Sequence, residues 1–292
     1  MRVPIPPATL PEEVVALAEE YAAGVRTPVE PRDAATVILL RPGAAVNAET
    51  EVYLLRRQSS MAFAAGMCVF PGGGVDLRDS DLAEAAWAGP TPAEWAERLG
   101  TGEDEARALL AAAVRETFEE SGVLLAGPSP DQVVADVSGE DWESDRIALE
   151  SRQLSLTELL ERRGLLLRSD LLGAWGAWTT PVFEPRRYRT WFFVATLPEG
   201  QVTRDVSSES ESVAWVPASE ALDQADRGRI GLMPPTYLNI LEVGQYADPA
   251  RVLAAARGRR VEMFTPTIEA IDGGHALSIM DHHRALLEAR HG

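Results

Sequence analysis

A charged stretch inside an alanine-rich helical pattern constrains this chain most strongly. Residues 115–123 read Arg-Glu-Thr-Phe-Glu-Glu-Ser-Gly-Val. At 3.6 residues per turn, Glu116, Glu119 and Glu120 fall within an arc of about 100° on one helix face. Like charges at this spacing repel one another and weaken the helix, and a hard divalent cation with oxygen ligands removes that cost. The pattern therefore predicts a metal-binding helix face rather than a solvated acidic surface.

The charge balance limits the partners of this chain. A net charge of −18 over 292 residues argues against nucleic acid or an anionic membrane surface as the main partner. An anionic substrate would then need metal ions or clustered arginines at its site. A single cysteine, Cys68, excludes an intrachain disulfide framework and fits a reducing compartment. With no signal-peptide core and no apolar run near 18 residues, we predict a cytoplasmic protein.

Apolar periodicity predicts alternating strands and helices. Strands are expected at 34–40, 51–56, 67–70, 171–179, 188–196 and 213–216. Helices are expected at 11–23, 92–99, 155–163, 218–225 and 235–257, and a long helix is expected to start within 101–104 and to end at Gly122. Strands with helices on separate faces predict an α/β sandwich with a mixed sheet. We divide the chain into an N-terminal arm and helix (1–30), a central domain (31–230) and a C-terminal helical extension (231–292).

A glycine-rich segment upstream completes a recognisable signature. Residues 70–76 read Phe-Pro-Gly-Gly-Gly-Val-Asp, and glycines let backbone amides approach a phosphate closely. Together with 115–123, this resembles the box of the Nudix hydrolase superfamily. The second glycine of the box normally lies 14 residues before the arginine. Gly73 and Arg115 are 42 apart, so about 28 residues are inserted, and we place the insert at 77–102.

An insertion within the box is typical of the branch similar to the peroxisomal coenzyme A diphosphatases. The resemblance implies a Nudix-type α/β/α sandwich over residues 31–230. It also implies that Glu116, Glu119 and Glu120 coordinate Mg²⁺ or Mn²⁺ with diphosphate oxygens, and that the catalytic group includes Arg115, Glu119 and Glu120. Many members add a glutamate from a loop before a late strand ending in tryptophan. Glu209 is our first candidate and Glu211 our second, and the alternative for both is a plain polar loop.

The remaining candidate site residues would hold the substrate. Guanidinium groups bind phosphate bidentately, and glycine amides cradle it. The predicted substrate-binding residues are Arg56, Arg57, Gly72, Gly73, Arg187 and Arg189. Arg186 belongs to the same basic segment, and about two of the five arginines are expected to matter. No histidine shows zinc-ligand spacing, so His275, His282, His283 and His291 receive no role.

One position departs from the box. The glutamate usually found eight residues before the arginine is Arg107 here, which puts the internal support of the glycine loop in doubt. It also favours an alternative class of function, a Nudix-fold nucleotide-binding protein without turnover. The intact Glu116, Glu119 and Glu120 argue against that alternative.

The resemblance implies a metal-dependent hydrolase of a diphosphate linkage in a nucleotide-linked small molecule. Coenzyme A or acyl-coenzyme A is the first expectation for the substrate, and ADP-ribose, NADH or a free nucleotide are the alternatives. We expect no nucleic-acid partner and no membrane partner. A homodimer stays open, because segments 77–102 and 129–153 could either cover the pocket or form a dimer interface.

Overall fold

The computed structural model describes residues 9–44, 49–59 and 64–291. The α-helices within these ranges are α1 Glu12–Ala22, α2 Pro92–Leu99, α3 Glu103–Ser121, α4 Glu140–Glu150, α5 Leu156–Arg163, α6 Ala218–Asp226, α7 Pro234–Val243, α8 Pro249–Ala256 and α9 Asp281–His291. Short 3-10 helices span Leu77–Asp81, Glu84–Ala86 and Ser169–Leu171. None of the helices in these ranges combines the length and apolarity needed to span a lipid bilayer.

Among the described residues, the strands form one large sheet and two small ones. They are β1 Arg32–Pro42, β2 Thr50–Arg57, β3 Met67–Val69, β4 Gly72–Gly74, β5 Trp87–Ala88, β6 Ala126–Gly127, β7 Leu166–Arg168, β8 Leu172–Thr179, β9 Tyr188–Thr196, β10 Ser210–Pro217, β11 Gly231–Leu232, β12 Met263–Phe264, β13 Ile268–Ile271 and β14 Gly274–Leu277. The large sheet has the order β11-β3-β2-β1-β9-β8-β12, with β10 paired to β2 and β4 paired to β1. β1 and β9 are parallel, whereas β1–β2 and β8–β9 are antiparallel. The sheet is therefore mixed, as predicted.

Strand β1 connects the two hydrophobic cores because its side chains alternate between the faces of the sheet. Val37 and Leu39 pack into the core under α3, and Ile38 and Leu40 pack into the core under α6 and α7. A strand buried on both faces has a continuous apolar run rather than an alternating one. The helices on both faces confirm the predicted α/β/α sandwich.

The segment predicted as an insert packs against the main core. In α2, Thr91 Oγ1 accepts a hydrogen bond from the Glu94 amide at 3.3 Å, and the Glu94 carboxylate accepts one from the Thr91 amide at 2.7 Å. This is the capping box that the sequence predicts. Trp95 is fully buried and meets Phe193 of β9 edge-on, with ring centroids 6.0 Å apart. The segment therefore supports α3 from the side.

The C-terminal part differs in detail from the sequence-based expectation. The single helix expected at 235–257 is two helices, α7 and α8. Asp248 caps α8, accepting a hydrogen bond from the Arg251 amide at 2.9 Å, and Pro249 occupies the first helical position. Both residue types are typical of a helix start, so the sequence itself indicates that a new helix begins here. The tail beyond residue 261 forms the hairpin β13–β14 and then α9.

Candidate active site

The apolar residues of helix α3 anchor it in the core, and this sets the position of its carboxylates. Leu110, Val114 and Phe118 are fully buried in the main core. The helix ends at Gly122, whose φ of 71° is the left-handed conformation that glycine adopts without strain. Glu116 and Glu119 keep side-chain exposures of only 13% and 11%. The predicted glutamates therefore form a largely buried acidic cluster.

The glycine strand β4 lies directly against this cluster. The Gly72 amide donates a hydrogen bond to Glu120 Oε2 at 2.8 Å. A Cβ atom on Gly72 would come within 2.6 Å of Thr36 Oγ1, and a Cβ on Gly73 would overlap the Glu116 carboxylate. Both positions thus require glycine for close approach. In this structure the Gly72 amide, predicted to hold phosphate, positions a metal-ligand candidate instead.

Arg115 connects the acidic cluster to the glycine strand. Its Nε and Nη2 donate to the two carboxylate oxygens of Asp79, each at 2.9 Å, and Nη2 also donates to the Gly74 carbonyl at 2.9 Å. Nη1 donates to Glu116 Oε1 at 2.7 Å. Asp79 is 2% exposed. Because every arm of the guanidinium is bonded, Arg115 positions its neighbours and is not free to move toward a substrate.

Asp79 corrects the interpretation of Arg107. Counted from the glycine end of the box, the motif glutamate falls six residues after the second glycine, and Asp79 lies six residues after Gly73. Arg107 instead lies 3.5 Å from the Leu82 carbonyl and 3.5 Å from Glu103. The extra residues therefore follow Asp79, so the insert does not begin at 77. Counting from the glycines rather than from the arginine would have found this carboxylate.

Burial and mutual repulsion make the acidic cluster electrostatically unfavourable without a cation. Burial, followed by the charge of Glu116, raises the pKa of Glu119 to about 7. Burial likewise raises the pKa of Glu116 and of Glu120, and Arg115 only partly opposes this for Glu116. Carboxylate oxygens that lack a compensating charge fit a hard divalent cation such as Mg²⁺ or Mn²⁺.

The three carboxylates do not converge on one point in this structure. Glu120 bonds the Gly72 amide, while Glu116 and Glu119 both lie next to Arg115. Across 9–44, 49–59 and 64–291, the one group of three acidic or histidine ligands with all ligand atoms within 4.8 Å of one another is Glu242, His282 and His283. Side-chain rotation at Glu116, Glu119 and Glu120 would accompany metal binding at the predicted site.

Glu209 and Glu211 face different neighbours. Glu209 Oε2 lies 3.0 Å from Arg57 Nη2. The charge of Glu209 raises the pKa of Glu116 and of Glu120, although burial has the larger effect. Glu211 accepts hydrogen bonds from the Ser59 amide and hydroxyl at 3.1 and 2.6 Å. Of the two, Glu209 is the one whose charge acts on the acidic cluster, while Glu211 is bonded to Ser59.

The predicted substrate-binding arginines are dispersed. Arg57 pairs with Glu209 at 3.0 Å, and its charge lowers the pKa of Glu120, after the larger effects of burial, Glu116 and the Gly72 amide. Arg56 is half-exposed, with its Nε 3.8 Å from Glu211. Arg187 donates to the Thr180 and Val29 carbonyls at 3.1 and 2.8 Å. Its hydrogen bonds secure the segment before β1, so it does not face the cluster.

Arg189 lies in an acidic cavity beside the glycine strand. It donates to both oxygens of Asp33 at 2.6 and 2.9 Å and lies 3.5 Å from Glu105. The cavity has a volume of about 410 Å³ and is also lined by Val75 and Ser80. Arg189 is therefore neutralised by carboxylates in this structure. Arg57 is therefore the arginine whose charge acts on a predicted metal ligand, Glu120.

The fold and this site define a Nudix-type domain, and comparison with known proteins agrees. The family model described as the NUDT19 Nudix domain matches residues 85–243, more than half of the chain. The chain belongs to this family of Nudix domains.

Two relatives and one solved structure illustrate the similarity. The chain is 28% identical over 222 residues to the putative nudix hydrolase 7 of Caenorhabditis elegans, covering 74% of this chain and 62% of the relative. It is 27% identical over 249 residues to the acyl-coenzyme A diphosphatase NUDT19 of Homo sapiens, covering 72% and 64%. A crystal structure of a Nudix hydrolase from Alicyclobacillus acidocaldarius superposes with a TM-score of 0.65 at 26% identity, covering 77% of this chain and 96% of that one. The chain thus spans a little over six tenths of the length of these two relatives.

Proposed function

We propose that this protein hydrolyses the diphosphate linkage of coenzyme A or an acyl-coenzyme A. The observation that carries the proposal is the buried cluster of Glu116, Glu119 and Glu120, held against the glycine strand by Arg115 and Asp79. Relatives over most of this chain are named acyl-coenzyme A diphosphatase. That name supports the substrate class.

In the proposed reaction, a water oxygen attacks one phosphorus of the diphosphate and the bridging P–O bond breaks. The products are phosphopantetheine (acylated if the substrate was) and adenosine 3′,5′-bisphosphate. Bound Mg²⁺ or Mn²⁺ would neutralise the diphosphate and lower the pKa of the attacking water. Glu116, Glu119 and Glu120 are the proposed ligands.

The residues around the cluster take supporting roles in this proposal. Glu209 is the candidate general base that accepts the water proton, because it lies near the cluster without being one of its three ligands. Arg57 would meet phosphate oxygens, exchanging its contact with Glu209 for the substrate. Arg115 and Asp79 hold the glycine strand and Glu116 in register. Arg187 and Arg189 are not part of the proposed substrate contacts, since backbone carbonyls and carboxylates already bind them.

The nucleotide-binding alternative loses its main support. It was favoured by Arg107 at the presumed glutamate position, and Asp79 provides the carboxylate that pairs with Arg115. A buried, mutually repelling carboxylate cluster is costly for a protein that needs no cation. Turnover is therefore the better explanation for keeping it.

A substrate screen tests the proposal. The protein is incubated with Mg²⁺ or Mn²⁺ and, separately, coenzyme A, an acyl-coenzyme A, ADP-ribose, NADH and a nucleoside triphosphate, and products are separated by chromatography. We expect adenosine 3′,5′-bisphosphate from the coenzyme A compounds. Faster cleavage of ADP-ribose or NADH would overturn the substrate assignment. No turnover of any compound, with ligand-induced thermal stabilisation, would overturn the enzyme assignment.

A further inference from the structure

Two histidines and a glutamate meet on the opposite face of the sheet from α3. Glu242 lies near the end of α7, and His282 and His283 lie in the first turn of α9. We propose that Glu242, His282 and His283 bind one transition-metal ion of the Zn²⁺ class, separate from the cation of the acidic cluster. Imidazole nitrogens favour such ions, whereas Mg²⁺ prefers oxygen ligands alone.

The ligand atoms have the spacing of a metal site. Glu242 Oε2 lies 3.4 Å from His283 Nε2 and 3.9 Å from His282 Nε2, and the ligand atoms all lie within 4.8 Å of one another. Ligands at about 2.1 Å from a tetrahedral Zn²⁺ stand about 3.4 Å apart. Only small side-chain movements are therefore needed to close the three atoms around one ion.

A second observation points to a missing ligand. His283 is 1% exposed, yet neither of its ring nitrogens makes a hydrogen bond with any described residue, although Nε2 lies 3.4 Å from Glu242 Oε2. Burying unpaired polar atoms is costly, and a metal bond to Nε2 would satisfy one of them. Trp178 stacks on the ring with centroids 5.8 Å apart and planes 26° apart, which fixes its orientation. The imidazole ring of His283 is therefore held in place beside Glu242.

The surroundings complete a site with room for a further ligand. Arg259 donates to both oxygens of Glu242, at 2.7 and 3.2 Å, and so orients the carboxylate. A cavity of about 250 Å³ adjoins the three ligands, and its lining includes Trp178 and Asn239. Trp178 Nε1 and Asn239 Nδ2 are buried donors with no hydrogen-bond partner in the part of the chain that the structure describes. A water or an anionic oxygen as the fourth metal ligand could accept their hydrogen bonds.

The charge of Arg259 sets an expectation for affinity. A guanidinium next to the carboxylate repels a divalent cation, so binding should be weaker than at structural zinc sites built from cysteines. The competing explanation is a simple ion pair between a protonated histidine and Glu242. That explanation requires no metal, so metal binding itself separates the two.

The test uses the full chain, stripped with a chelator and supplied with excess Mg²⁺ to occupy oxygen-only sites. Zn²⁺ is titrated by calorimetry, and Co²⁺ binding is followed by visible absorption, which is intense only for tetrahedral or five-coordinate geometry. We expect one ion per chain. The variant His282→Gln should weaken binding at least about tenfold, as expected for the loss of one metal bond.

Two variants serve as controls. His275→Gln changes a histidine in β14 outside the cluster and should bind as the unaltered protein does. Glu119→Gln removes a ligand of the proposed catalytic site and should keep the Co²⁺ spectrum. His282 is 47% exposed in its side chain, so His282→Gln should fold, which circular dichroism checks. Equal Zn²⁺ affinity in His282→Gln and the unaltered protein, loss of the spectrum in Glu119→Gln, or no Zn²⁺ binding at all would overturn the proposal.

Discussion

The two faces of the sheet hold their ionisable clusters in different ways. On the α3 face, Glu120 and the Arg115–Asp79 pair are hydrogen-bonded, and the difficulty is an excess of negative charge. On the α7–α9 face, charge is nearly balanced by Arg259, and the difficulty is buried nitrogens that have no hydrogen-bond partner among the described residues. The first environment fits a hard cation with oxygen ligands, and the second fits an ion that accepts nitrogen ligands. One scaffold can therefore present two chemically distinct sites on its two faces.

The largest expected effect is on turnover at the α3 face. Glu120→Gln removes a proposed metal ligand while keeping the side-chain shape and the acceptor for the Gly72 amide. We expect kcat to fall by about 10²–10⁴-fold, the range found when a key catalytic group is lost. Rates are measured with the best substrate of the screen at saturating Mg²⁺.

Glu211→Gln is the matched control for that experiment, because Glu211 bonds Ser59 rather than the cluster. It should retain nearly full activity. A Glu120→Gln enzyme as active as the Glu211→Gln enzyme would remove the α3 face from the catalytic assignment.

The next largest effect concerns the support beneath the cluster. Asp79→Asn removes the carboxylate that binds Nε and Nη2 of the buried Arg115 and leaves Glu116 and Glu119 as its anionic neighbours, which should destabilise the fold by about 3 kcal/mol. Urea unfolding followed by tryptophan fluorescence measures this. Arg107→Gln is the comparison, and removing its partly exposed pairing with Glu103 should change stability by less than about 1 kcal/mol. If Arg107→Gln were more destabilising than Asp79→Asn, then Arg107 rather than Asp79 would be the structural counterpart of the motif glutamate.

A glycine pair sharpens the comparison within the α3 face. Gly73→Ala places a methyl group on the Glu116 carboxylate and should cost about 1–3 kcal/mol through forced movement. For Gly74→Ala the nearest atom is Asp33 O at 3.9 Å, so the change should be tolerated. Thermal unfolding with and without Mn²⁺ measures both variants. Equal destabilisation by the two alanines would contradict the packing of β4 against α3.

The smallest expected effect is a pH dependence specific to the α3 face. Because burial raises the pKa of Glu119 to about 7, the folded state binds more protons than the unfolded state between about pH 4.3 and pH 7. This contribution therefore lowers stability as pH rises through that window. For the metal-free protein we expect a decrease in Tm of roughly 2–4 °C, a change of about 1 kcal/mol.

Added Mg²⁺ should reverse that decrease, with a larger gain at pH 8 than at pH 5.5, since protons and Mg²⁺ compete for the same carboxylates. Differential scanning fluorimetry across the pH range measures it. In Glu119→Gln both the pH trend and the Mg²⁺ gain should shrink. A pH trend in Tm that is the same in Glu119→Gln as in the unaltered metal-free protein would contradict this account.

The sequence predicted the elements that depend on local pattern. Helix α3, its end at Gly122 and its row of glutamates follow from helical periodicity, and the capping box of α2 follows from Thr91 and Glu94. Strand β1 was predicted from its apolar run. These features need no knowledge of distant residues, because propensity and burial point to the same conformation.

Features that depend on distant partners could not be predicted. Arg189 looked like a phosphate ligand, but its partner Asp33 is 156 residues away. The histidines showed no ligand spacing, because the third ligand, Glu242, lies on another helix. Asp79 was missed for a different reason. A motif that contains an insertion can be counted from its glycine end or from its arginine end, and the motif carboxylate was sought only from the arginine end. Register along the chain is visible in a sequence, whereas proximity across the fold is not.

The pairing of β1 with β9 has a consequence for how the protein is made. A ribosome delivers β1 long before β9, since Arg32 pairs with Tyr188 and Leu40 with Thr196. Until residue 196 has left the exit tunnel, the nascent chain carries an open strand edge flanked by exposed apolar side chains. Such contacts between distant segments form slowly, and exposed edges invite aggregation. The pairing of β1 with β9 should therefore be a late step in the folding of the newly made chain.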